Sequence, residues 1–87
     1  MLTIGRQLQA ARALAGVNQK KLATIAGLSM ATIGAMEGAG LHPFRADFAS
    51  VRKVQIALEG LGIEFTNHDG RPGVRLRFPA GQDRAAA

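Results

Sequence analysis

Few side chains in this sequence of 87 residues are equipped for covalent chemistry. It contains no cysteine, which removes thiolate nucleophiles, disulfides and thiolate-bound metals. Its two histidines, His42 and His68, lie far apart in stretches dense in turn-forming residues. They read as loop residues, not as a metal pair or the base of a triad. No carboxylate pair or activated nucleophile stands out. Gly60-Leu61-Gly62 precedes a strand pattern, whereas a dinucleotide-binding glycine turn follows one. The expectation is a chain that is not an enzyme and uses no cofactor or metal. What it does offer is positive charge: 11 Lys and Arg against 6 Asp and Glu, a net +5. Such an excess suits a polyanionic partner, nucleic acid first, an anionic membrane surface or acidic protein second. Solubility alone also accounts for a charge of this size.

Residues 19–38, QKKLATIAGLSMATIGAMEG, hold the most informative spacing. Asn18 is a good N-cap for a short helix over 19–26, and Gly27 ends it in the left-handed conformation that only glycine adopts cheaply. Ser29 caps a second short helix, Met30 to about Glu37. Leu22, Ala26, Leu28, Ile33 and Met36 form the wedge between the two, and Ala23 must be small where the second helix crosses close above it. Two short helices joined by a tight turn make a helix-turn-helix, in which the second helix can enter the major groove of DNA.

The remaining elements must hold that pair in place. A first helix is expected from Thr3 as cap, with an apolar stripe of Ile4, Leu8, Ala11 and Leu14 and a break at Gly16. Residues 38–44 read as a loop. Asp47 or Ser50 opens another helix, with Phe48, Val51, Val54, Leu58 and Leu61 inward and Arg52 and Lys53 outward; Gly60 and Gly62 end it. The period then changes from 3.6 to 2. Residues 63–66 and 74–78 alternate, and 67–73 form a long turn, which predicts a β-hairpin. One face collects Ile63, Phe65, Val74, Leu76 and Phe78; the other sets Glu64 against Arg75 and Arg77. A lone hairpin is marginal in water, so this one lies on the helices or pairs with another copy of itself. We expect residues 1–62 to form the helix-turn-helix domain, 63–78 a hairpin serving dimerisation, and 79–87 a flexible tail. No apolar run is long enough to span a membrane and no secretion signal is visible, so the expected location is the cytoplasm.

The chain resembles the xenobiotic-response-element, or Cro/lambda-repressor, type of helix-turn-helix regulator over about residues 7–61. The resemblance rests on Arg12, Val17-Asn18-Gln19, Leu22-Ala23, Ala26-Gly27, Ser29, Thr32-Ile33 and Glu37-Gly38. Residues 58–65 and 72–77 are similar to a short bacterial subgroup that ends in such a hairpin. The resemblance implies a mainly α fold, a lambda-repressor-like bundle of about five helices with a C-terminal antiparallel hairpin. It also implies a homodimer on a palindromic operator in double-stranded DNA. Arg12 and Glu37 match a family pair that forms an internal salt bridge. Gln19, Ser29 and Thr32 match backbone or groove-edge contacts, with Lys20, Lys21 and Arg45 near phosphates. Met30, Ala31 and Ala35 match the positions that read base edges, yet here they offer only apolar contact, and residues 30–36 carry no charge. Two explanations stay open. Readout proceeds through thymine methyls, Thr32 and DNA shape, or the surface serves a protein partner, as in an adaptor or antitoxin.

Overall fold

The computed structural model describes residues 2–41 and 47–77. Among them the order is α1 (Gly5–Ala15), α2 (Gln19–Ala26), α3 (Met30–Glu37), α4 (Phe48–Gly60), β1 (Ile63–His68) and β2 (Arg71–Leu76). The chain is mainly helical and ends in a two-stranded antiparallel sheet. Four helices stand among the described residues where about five were expected. After α3 the chain turns through Gly38 and Gly40, the latter at φ +61°, and residues 38–41 form no further helix. Arg45 and His42 lie outside the described residues, as do Phe78 and the 79–87 tail.

The two helices of the central pair begin and end where side-chain chemistry predicts. Asn18 Oδ1 accepts the Lys21 N–H at 2.7 Å, and Ser29 Oγ accepts the Thr32 N–H at 3.1 Å, each satisfying a first-turn donor the helix cannot pair internally. At the end of α2, Gly27 sits at φ +72° and its N–H donates to Thr24 O, while Leu28 N–H reaches back to Ala23 O at 2.9 Å. That doubled bond is the Schellman stop. Three residues, Gly27, Leu28 and Ser29, therefore suffice to redirect the chain from α2 into α3.

α1 starts differently from the expectation. Ile4 occupies the cap position without a side-chain bond. Thr3 instead gives its backbone N–H to Gln7 Oε1 at 2.7 Å, so the first turn is tied from inside the helix. Gln7 is buried, and its Nε2 donates to the Gly73 carbonyl of β2 at 3.0 Å. One amide thus joins the N-terminus, α1 and the sheet. The apolar stripe also needs correction: Leu14 is 44% exposed. Two steps of three from Leu8 rotate it roughly 120° off the buried face, while Ala15, seven residues on, stays in line and packs on the core.

The core is one cluster, with Leu2, Leu8, Leu22, Ile33, Val54, Leu58 and Ile63 almost fully buried. α1 crosses the end of α3 closely. A Cβ on Gly5 would stand 2.6 Å from the carbonyl oxygens of both Met36 and Glu37, so only glycine fits there. α4 packs against α2, its inward stripe running through Val51, Val54, Ala57 and Leu58; Phe48, in the first turn, stays 64% exposed. The Ser50 hydroxyl holds the Asp47 carboxyl at the start of α4 below its ordinary range.

The hairpin is longer and tighter than its pattern indicates. Asp69 (φ 55°) and Gly70 (φ 73°) alone make the turn, and both strands run up to it, pairing His68 with Arg71 and Glu64 with Arg75. Two successive positive φ values define a type I′ turn, whose twist matches paired strands. The Asp-Gly dipeptide was the signal for it, masked by the surrounding turn formers. Pro72 sits inside β2 opposite Asn67.

A candidate nucleic-acid interface

The surface built by α2, the turn and α3 has an inner and an outer side. Inward, Ile33, Met36 and Glu37 are buried, together with Leu22, Ala23 and Ala26 of α2. Outward, Ser29, Met30, Ala31 and Ala35 are exposed, while Thr32 and Gly34 are half-buried. Met30 leaves 53% of its surface open. The result is a shelf of small, uncharged side chains along one side of α3. Ser29 Oγ and Thr32 Oγ1 lie 2.8 Å apart at its N-terminal end. Beside the shelf, Lys20 and Lys21 are exposed in the first turn of α2, with no ion pair to a described residue.

A buried ionic cluster fixes this geometry from below. Arg12 Nε donates to Glu37 Oε2 at 2.7 Å and Arg12 Nη2 to Glu37 Oε1 at 3.2 Å, a two-pronged contact between α1 and the last residue of α3. Arg12 Nη1 also donates to the Val17 carbonyl at 3.2 Å, reaching the linker before α2. The Glu37 side chain is only 4% exposed and that of Arg12 24%. Hydrogen bonding to Glu37, outweighing burial, holds the guanidinium above its ordinary pKa. A carboxylate this deep is tolerable only when its lone pairs are filled. The third donor is Gln19, whose Nε2 meets Glu37 Oε1 at 3.0 Å.

The resemblance implies a DNA-backbone contact for Gln19; in the structure its side-chain Nε2 is engaged by Glu37. Sequence spacing could not reveal this, because the two residues are brought together only when α2 folds over the end of α3. The other assigned positions divide clearly. Ser29, Met30, Ala31, Thr32 and Ala35 share the outer shelf, with Lys20 and Lys21 to one side.

The hairpin residues expected to serve dimerisation lie against the helices. Ile63 is 1% exposed within the chain's own core, and Phe65, Val74 and Leu76 pack against that same cluster. α1 and α4 support the apolar face, on which Phe65, Val74 and Leu76 remain half-buried. The physical reason is that a two-stranded sheet needs a hydrophobic support, and this chain supplies its own. Outward, Arg75 Nη2 meets Glu64 Oε1 at 3.0 Å, the cross-strand pair that the alternation predicts.

Among the described residues, no group of three or more His, Asp or Glu side chains converges to hold a metal ion, and no helix is long and apolar enough to cross a membrane. No family model matches the chain, and no curated protein matches it significantly.

Proposed function

We propose that this chain is a small transcriptional regulator of the xenobiotic-response-element, lambda-repressor-like class, binding a palindromic operator as a homodimer in the cytoplasm. The observation that carries the reading is the outward shelf of α3, set at a fixed angle by the Gly27 turn and the Arg12–Glu37–Gln19 cluster. Met30 stands open on this shelf, where apolar side chains meet thymine methyls, and Thr32 and DNA shape supply the rest of the readout. Lys20 and Lys21 supply phosphate contacts, which carry affinity but no sequence information. Two such helices about 34 Å apart meet successive turns of one face of the duplex. The reading assigns no catalytic step and no cofactor.

Selection of bound sites from a random duplex pool tests this directly. An inverted repeat is the expected outcome; no enrichment over random DNA at low salt ends the proposal. Within it, Ala31→Arg changes the preferred half-site, because the new side chain reaches guanine edges. Replacing Lys20 and Lys21 by Ala lowers the salt slope of binding by about one to two units.

A second reading has its own support. Residues 30–36 carry no charge, and an apolar shelf also suits a protein surface, as in an adaptor or antitoxin. Here Ala31→Arg abolishes capture of the partner and leaves DNA binding absent in both forms.

A further inference from the structure

Outside α3, two exposed apolar side chains flank one groove, while Leu14, Leu41 and Phe48 are exposed away from its lining. Ile25 at the end of α2 is 43% exposed and Ile56 in the middle of α4 is 54% exposed. Between them runs an open groove of about 430 Å³ bordered by Ile25, Lys53, Ile56, Ala57, Gly60 and Leu61. We propose that two copies of this chain associate through this face, their α4 helices antiparallel and the two-fold axis passing at Ile56. The inference concerns the dimer within the function proposed above, and its readout needs no DNA.

The charge pattern of α4 selects a second copy over any other occupant. Lys53 and Glu59 stand three residues to either side of Ile56, each about 4.5 Å along the helix axis from it. Both are exposed, and neither makes an ion pair with a described residue. Turning α4 end for end about Ile56 brings Lys53 level with the partner's Glu59 and Glu59 level with the partner's Lys53. A surface that is cationic on one side of an apolar centre and anionic on the other is complementary to itself under a two-fold rotation, as an isologous contact demands. Each Ile56 then meets its own copy across the axis. Gly60 has open space around its Cα, so the second helix approaches without a clash. A chain this short buries a modest share of its apolar surface alone, and covering this groove adds to it.

The association is read by sedimentation velocity of the full chain, in the absence of DNA, over a wide concentration range. The wild type dimerises and Ile56→Lys is monomeric, with unchanged circular dichroism because position 56 lies outside the core. Lys53→Glu and Glu59→Lys each set like charges together across the axis and weaken the dimer by about tenfold at low salt. Combining them restores opposite charges and wild-type association, a recovery that no purely structural role produces. A wild type that stays monomeric, an Ile56→Lys protein that still dimerises, or a double exchange without recovery each overturns the proposal. A dimer with this signature that binds no duplex leaves the seam standing and removes the regulator reading alone.

Discussion

Two arginine–glutamate pairs of similar length stand among the described residues, and they do different work. Arg12 and Glu37 meet at 2.7 Å beneath the central helix pair; Arg75 and Glu64 meet at 3.0 Å on the outer face of the hairpin. The first carboxylate is 4% exposed and shares its oxygens with Gln19; in the second pair the arginine side chain is 72% exposed. Water screens the hairpin pair, so it contributes little beyond local pairing. In the other, three elements converge on one desolvated charge, and Arg12 is the cation that answers it. Burial and company, not distance, decide what an ion pair is worth. The same contrast separates the regions they belong to. The hairpin turns its apolar residues inward and its charges outward, as stability alone demands, whereas α3 leaves an uncharged shelf open to solvent.

This contrast is open to mutation. Arg12→Ala strands the buried Glu37 carboxylate with Gln19 as its remaining side-chain donor, so it destabilises by about 3 kcal/mol in chemical denaturation. A loss below about 1 kcal/mol means that the cluster is far more hydrated than its burial implies. Gly27→Ala isolates the turn itself. A Cβ there meets nothing within 4 Å, so the cost is the left-handed backbone alone, about 1–2 kcal/mol by thermal melting. Glu64→Ala in the hairpin changes stability by no more than about 0.5 kcal/mol. If it matched Arg12→Ala, the distinction between the two pairs would be lost.

Much of this architecture was legible in the residue order. Caps and stops are local: Asn18, Gly27 and Ser29 act on backbone groups within a few positions, so α2 and α3 fall where their side chains place them. The outward position of Met30, Ala31 and Ala35 follows from the same periodicity. Local pattern failed where several signals overlapped. A seven-residue stretch dense in turn formers hid a two-residue turn, because Asp69-Gly70 closes the hairpin and its neighbours then extend as strand. It failed again at Leu14, where steps of three drift around the helix until the side chain leaves the buried face.

Sequence by itself determined the helix pair, its turn and the uncharged face, since each depends on interactions spanning five residues or fewer. Tertiary structure alone decided what met across the fold: Gln19 bending to Glu37, Gln7 linking α1 to β2, Gly5 set against the end of α3, and the sheet lying on its own helices. Those contacts join residues far apart along the chain, and their geometry exists only once desolvation has drawn the elements together.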